Sequence, residues 1–509
     1  MRLVITPRSA WKNRKNNYLF GMKRLAISQF PVFFVLLWLC ACANSDSTEE
    51  AAESTQPNIL FIAVDDLRPE LGVYGARHIK SPAIDQLAVQ SLILDRAYCN
   101  VPVCGASRAS LLAGVRPGRH RFIHYYTYLD KDYPGVTSLP KHFRNNGYAT
   151  ISNGKIYHNQ DDDAAAWDEI WRPKSRNGSS WRDYLNPANL AKDKSPDSRG
   201  MPYEKMEVPD TAYYDGRIAQ KSINDLKKLK EKGQPFFLAT GFLKPHLPFN
   251  APTKYWEMYD SSTITLPENY VQPASTPREA FHNFGELRAY SGIPEKGPVS
   301  DDMANKLIHG YYACVSYIDA QIGKLLATLE ELNLADNTIV ILWGDHGWNL
   351  GDHQLWCKHC NFESSLHVPL MIKVPGKTQG QRSNAIVEYI DIYPSLCELA
   401  GLPVPEHTNG ESFVPLMEGG ARKKDFAISK WHDGVTLIRG NLFYTEWLDE
   451  NDEARARMLF DHATDPLELN NLAEAPNYQD TVQQLSQMLR ENWGDDFFVD
   501  RRPKEEGSH

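Results

Sequence analysis

The chain is short of the features that mark a stapled module or a nucleic-acid binder. It has eight cysteines in 509 residues, too few for a disulfide scaffold of that length. It has no surplus of positive charge: 64 acidic side chains face 55 Lys and Arg, a formal net charge of −9, which excludes a general binder of nucleic acid. An enzyme acting on a polyanion fits this balance only if its cations gather in one pocket. No internal repeat is visible. Acidic residues are missing altogether from the first 41 positions, which hold seven Lys or Arg.

That acid-free segment reads as a targeting signal. Lys23 and Arg24 precede the apolar run Phe30–Leu39, too short to span a membrane as a helix of a folded protein and suited to a signal peptide's core. Residues 1–41 are assigned to the signal, with Met22 as the candidate true start. The run ends Leu39-Cys40-Ala41-Cys42, which resembles the lipobox of bacterial lipoproteins, with lipidation at Cys42; ordinary signal cleavage nearby is the rival. Residues 42–55, polar and acidic, form a tether too poor in apolar side chains to fold. The expected product is an exported bacterial lipoprotein, in the periplasm or at the cell surface and held to a membrane by its anchor. Losing the signal's seven cations takes the net charge from −9 to −16.

Beyond the signal the cysteines are Cys99, Cys104, Cys314, Cys357, Cys360 and Cys397. Cys357 and Cys360 form a C-x-x-C, but no second pair follows at zinc-site spacing. A local disulfide or two packed thiols is the preferred reading over a metal or redox site.

With 42% hydrophobic and 11% aromatic residues, the chain can bury a large core, and one large domain plus a smaller one is expected. Three apolar runs read as fully buried strands of a parallel sheet: Asn58–Val64, Pro235–Ala239 and Thr338–Trp343. Each delivers polar residues at its end: Asp65-Asp66, Lys244-Pro245-His246 and Gly344-Asp345-His346. That edge is where open α/β sheets bind ligands. From Asn305 to Leu332 apolar residues recur at three- and four-residue steps, predicting a helix, and alternation of strand and helix predicts a doubly wound sheet. Asp161–Tyr203, rich in Trp, Asn, Ser, Asp and Pro, reads as an excursion over the active-site face that sets substrate choice. After Gly401-Leu402-Pro403, short segments at Val435–Ile438, Leu442–Trp447 and Met458–Asp461 and a helix from about Tyr478 to Trp493 predict a small antiparallel subdomain. The catalytic domain is placed at 56–420, the subdomain at 421–500 and a frayed tail at 501–509.

Cys104 stands just before a probable helix with Arg108 four residues on, a setting that can lower a thiol's pKa; a buried structural thiol is the alternative. Cys104-Gly-Ala106-Ser-Arg108 followed by Leu111-Leu112-Ala113-Gly114 resembles the signature of type I, formylglycine-dependent sulfatases, with Ala106 where most members have Pro. The resemblance runs from Asn58 to about Leu472 and is nearest to the iduronate-2-sulfatase branch. It is carried also by Gly154-Lys155-Ile156-Tyr157-His158, Leu243–Phe249, Gly344–Trp348, Trp356-Cys357-Lys358, Phe362-Glu363 and His367–Leu370.

The resemblance implies an alkaline-phosphatase-like α/β fold, a central mixed sheet flanked by helices, with a smaller C-terminal α+β subdomain. It implies that Cys104 is oxidised to formylglycine (3-oxoalanine) by a formylglycine-generating or sulfatase-maturating enzyme. Asp65, Asp66, residue 104, Asp345 and His346 would hold one Ca²⁺, with Mg²⁺ the lesser choice. The hydrated aldehyde would attack sulfur and later expel sulfate. Arg108 and Lys155 would hold the formylglycine oxygens, His158 would take the proton during expulsion, Lys358 would grip the sulfate, and His246 would protonate the leaving oxygen. Lys244 is read as a solvated or substrate-touching lysine, and Asn361 and Glu363 as orienters of Lys358 or of a ligand. His353, His359 and His367 are left outside the core site. The implied activity is hydrolysis of a sulfate ester on a sulfated oligo- or polysaccharide, such as ulvan or a glycosaminoglycan, at O2 of a uronic acid. Phosphodiester or phosphonate-ester hydrolysis and non-catalytic carbohydrate binding are the rivals.

Overall fold

The computed structural model describes residues 56–174, 181–195, 199–451 and 453–493. The signal, Cys42, the tether and the tail lie outside the described residues. Among those described, no helix is long and apolar enough to cross a membrane.

The three apolar runs form neighbouring strands, Asn58–Val64, Phe236–Phe242 and Thr338–Gly344, buried at every position. They lie at the centre of a nine-stranded sheet among the described residues. Ala149–Gly154 and Glu169–Trp171 extend it in parallel on one side. On the other, Leu370–Lys373 runs antiparallel, followed by Leu92–Tyr98. The sheet is therefore mixed. Its side chains alternate between two cores, Phe61 and Ile341 on one face, Leu60, Ile62 and Leu342 on the other, so a strand covered on both sides reads as a continuous apolar run.

Register decides what the sheet offers at its end. Val64 pairs with both Phe242 and Gly344, and Gly154 pairs with Gly241. Asp65, Leu243, Asp345 and Lys155 therefore leave the sheet side by side. The glycine pair permits the closest approach. A Cβ at Gly241 would lie 2.1 Å from the Lys155 carbonyl oxygen, and Gly154 adopts φ +76°.

The long helix spans Asp301–Glu331, four residues earlier than its apolar repeat begins, because Ser300 caps it by accepting from the Met303 amide. The predicted stripe from Leu307 to Leu329 is buried. The excursion includes the edge strand Glu169–Trp171 and carries a short helix, Pro187–Asp193.

The C-terminal sheet has four antiparallel strands, Phe426–Trp431, Gly434–Arg439, Leu442–Leu448 and Ala454–Asp461. The first escaped the sequence reading because Ser429 and Lys430 interrupt it, yet both are buried. One face, with Ala427, Ile438, Phe443 and Phe460, joins the core of the main sheet. The other packs Leu437, Tyr444 and Leu459 against Leu485, Leu489 and Trp493 of the helix Gln479–Trp493. Cys357 and Cys360 are free, buried thiols, and the Cys360 thiol contacts the Ser365 hydroxyl at 3.0 Å.

Candidate active site

At the common edge Asp65, Asp66 and Asp345 are fully buried. Asp66 sits at φ +59°, an uncommon conformation for a residue with a Cβ. It is held there as its amide donates to Asp345 Oδ1 at 2.9 Å and its carbonyl accepts from the Tyr311 hydroxyl at 2.8 Å. Arg108, one turn into the helix Cys104–Ala113, donates through Nε to Asp345 Oδ2 and through Nη2 to Asp65 Oδ1, both at 2.9 Å. Its Nη1 reaches the carbonyls of Lys155 and Ile156. Arg108 therefore directly holds the carboxylates and the Lys155 strand end. Lys155 Nζ pairs with Asp65 Oδ2. Against the burial that would raise it, Lys155 and Arg108 keep Asp65 well below the usual carboxylate range.

Cys104 begins its helix, and the helix seats closely: a Cβ at Gly105 would lie 2.0 Å from the Tyr125 carbonyl oxygen. Its Sγ lies 3.2 Å from His346 Nε2 and 3.9 Å from Asp66 Oδ1. Burial, then Asp65, pushes the thiol up to about 12. Of the two readings of the bare thiol, the buried one fits: burial and nearby carboxylates outweigh Lys155 and Lys358, and an unmodified Cys104 is a poor nucleophile.

The ligand-bearing edges of the histidines follow from their other nitrogens. His346 Nδ1 faces the Gly347 carbonyl at 2.9 Å. A proton there leaves Nε2 as a lone pair aimed at Cys104 and, at 3.4 Å, Asp66. His246 Nδ1 faces the Leu247 carbonyl at 2.6 Å and Nε2 faces Glu286 at 3.0 Å. Burial, then Lys358, takes His246 down to about 4 against the pull of Glu286. Burial, then Lys155, takes His158 down to about 2, so it is a neutral base, and its Nδ1 has no hydrogen-bond partner among the described residues. Lys358 Nζ lies 3.2 Å from both Asp66 oxygens and 2.9 Å from Glu286.

A cavity of about 600 Å³ opens above Cys104, lined by Lys155, His158, His246, Lys358, Glu286 and His359 and also by Tyr125, Arg172, Trp181, Arg182 and Arg199. The last four come from the excursion, which thus does face the site. Glu286 went unread because nothing in its surroundings marks it; only the fold brings it to Lys358 and His246. His359 was set aside, yet it lines the cavity. Other readings are corrected. Lys244 is neither solvated nor directed at substrate, as its Nζ donates to the carbonyls of His246 and Pro248 at 2.7 and 2.8 Å. Asn361 does not orient Lys358 but reaches Thr436 of the C-terminal sheet at 2.9 Å. Glu363 lies 3.6 Å from His367 and from His462.

The donors suit a divalent cation. Atoms of Asp65, Asp66, Cys104 and His246, and of Cys104, Asp345 and His346, fall within 4.8 Å of one another. Burial, Cys104 and Asp65 push Asp66 well above the usual carboxylate range even with Lys358 beside it. A hard cation bound to these oxygens would remove that penalty.

The doubly covered sheet, with buried carboxylates at one edge and a cationic cavity above them, defines a hydrolase of the alkaline-phosphatase-like fold, equipped for anionic esters. The Sulfatase family model matches residues 57–402, and that of the N-sulphoglucosamine sulphohydrolase C-terminal region matches 351–494. The chain belongs to the sulfatase family and hydrolyses sulfate esters. It is 33% identical to human (Homo sapiens) iduronate 2-sulfatase over 427 residues, 74% of this chain and 76% of the relative. In structure it resembles the phosphonate monoester hydrolase of Silicibacter pomeroyi, with TM-score 0.71 and 23% identity, covering 86% of this chain and 95% of the other. It also resembles a 2-O GAG sulfatase, with TM-score 0.67 and 22% identity, covering 87% and 94%. These two likenesses establish the fold. The family generally uses formylglycine and a divalent metal.

Proposed function

We propose that the protein removes the 2-O-sulfate of a uronic acid in a sulfated oligosaccharide derived from an external polysaccharide such as ulvan or a glycosaminoglycan. It does so as an exported lipoprotein anchored at Cys42, in the periplasm or at the cell surface, after a maturating enzyme has oxidised Cys104, and with Ca²⁺ held by Asp65, Asp66, residue 104, Asp345 and His346. The carrying observation is the gathering of Lys155, Lys358, Arg172, Arg182 and Arg199 around one cavity in a chain whose net charge is −9. Lysines near Cys104 suit a sulfate, and arginines farther out suit a carboxylate on the same sugar. The likeness to iduronate 2-sulfatase supports the choice of a uronic acid.

A formylglycine hydrate at position 104 would supply the attacking hydroxyl, and a cation held by Asp65, Asp66, Asp345 and His346 would supply Lewis-acid polarisation of the sulfate. Lys155 and Lys358 offset the charge that repels a nucleophile. His246 Nε2 gives a proton to the leaving oxygen, and the bound sulfate, like Glu286, raises its affinity for that proton. Neutral His158 accepts one when sulfate departs. Tyr125 and Trp181 wall the mouth and limit water.

The test is sulfate release from defined 2-sulfated and 3-sulfated uronic oligosaccharides, with release from the former expected; release from the latter alone would refute the position. An aryl phosphodiester turned over faster than an aryl sulfate would point to the phosphodiesterase rival instead. The peptide carrying position 104 should be about 18 Da lighter than its cysteine form by mass spectrometry.

A further inference from the structure

Past His359 the cavity over Cys104 gives way to a second one of about 390 Å³. Gly285 and His359 face both, so the two are neighbours parted by one imidazole. The second is walled by the C-terminal sheet through Trp431 and Trp447. Trp431 is half-buried, and its ring lies 4.9 Å from that of His359 at 30°.

One polar group on this wall lacks a partner. His282 Nδ1 accepts from the Phe284 amide at 2.9 Å, which places the ring's proton on Nε2. Nε2 is buried and has no acceptor among the described residues. A buried donor without an acceptor is costly and calls for an oxygen from elsewhere. At the outer end Arg455 pairs with Glu279 at 2.7 Å and reaches Asp433 at 3.4 Å, which closes that side with charge.

We infer that this second cavity is a subsite for the sugar unit joined to the sulfated one, so that the enzyme acts on oligosaccharides of at least two units. The inference rests on the carbohydrate reading above. The part of the half-buried Trp431 indole that His359 and His432 leave uncovered receives the C–H side of a pyranose, because its electron-rich surface attracts the positively polarised hydrogens. His282 Nε2–H supplies a buried donor that a sugar hydroxyl or carboxylate oxygen would meet. Aromatic walls with few, placed polar groups are the usual make-up of a small-molecule pocket, and the wall shared through Gly285 and His359 sets the two sugar sites side by side. The C-terminal sheet thus takes part in choosing substrate.

The experiment compares kcat/KM for a 2-O-sulfated uronic monosaccharide and for a disaccharide ending in it, with an aryl sulfate as reference. Wild type should favour the disaccharide about tenfold. Trp431→Ala and His282→Leu should bring that ratio close to one, while Trp431→Phe, which keeps an aromatic face, should retain most of it. Melting curves identify any variant that fails to fold, and the wild-type ratio with the remaining variants then decides. Equal kcat/KM in wild type, or a preference that survives Trp431→Ala and His282→Leu in folded protein, would overturn the subsite alone. Turnover of the aryl sulfate with neither sugar processed would overturn the carbohydrate reading and the subsite with it.

Discussion

At the floor of the cavity Asp65, Asp345 and Lys155 leave adjacent strand ends in register, and Arg108 binds them to one another. At the rim, Arg172, Trp181 and Arg199 stand on a chain with little regular structure, and their contacts are of another kind. Arg172 donates to the carbonyls of Gly154 and His158 at 3.1 Å. Trp181 is 40% exposed, and the Arg199 guanidinium lies 5.2 Å from the centre of the Tyr290 ring. The floor is charge locked against charge; on the excursion the cations rest on backbone carbonyls and an aromatic ring. On the proposed reading, the difference teaches that the sulfate chemistry belongs to the main sheet, while the choice of sugar belongs to what overhangs it, the excursion and the C-terminal sheet.

Substitutions on the two sides should therefore differ in kind. The largest effect is expected for Cys104→Ala, which should lower turnover at least about 10⁴-fold on every substrate while the melting curve stays near wild type. Activity comparable to wild type would remove the proposed chemistry. Lys358→Ala should cost about 10²-fold to 10³-fold, again equally on a sugar sulfate and an aryl sulfate; a loss confined to the sugar would move Lys358 from floor to rim. Arg199→Ala should raise KM for a sulfated uronate about tenfold, with a much smaller change on an aryl sulfate, which has no carboxylate. Equal changes on the two would break the division drawn here.

The last effect lies away from both and is read in stability rather than turnover. Glu468 is held down to about 2, against burial, by hydrogen bonds and charge from His353 and His462. A carboxyl lowered in the fold contributes stability that is complete above its unfolded value, about 4.5, and is lost as the pH falls toward 2. Acid titration of the unfolding free energy should show a loss on the order of 2 kcal/mol in that window, reduced in Glu468→Gln.

What the sequence made legible follows the same division. Asn58–Val64 and Thr338–Gly344 announce themselves because strands covered on both faces are apolar throughout, and the carboxylates that break those runs mark the edge. The parallel strands bring Asp65, Asp66, Cys104, Asp345 and His346 together as the motifs implied. Glu286 and Arg172 could not be read, since no periodicity fixes where an irregular segment lies. Lys244 and Asn361 were misassigned for a related reason. Nearness in sequence to His246 and Lys358 suggested a shared task, whereas Lys244 ties down its own turn and Asn361 ties the main domain to the C-terminal sheet.

The seating of Gly105 against the Tyr125 backbone, with Cys104 only 2% exposed beneath it, sets an order of events. Once the helix has docked, residue 104 is met from the cavity side, which admits a small ester. On the proposed reading, a maturating enzyme reaches that cysteine most readily before the helix closes over it.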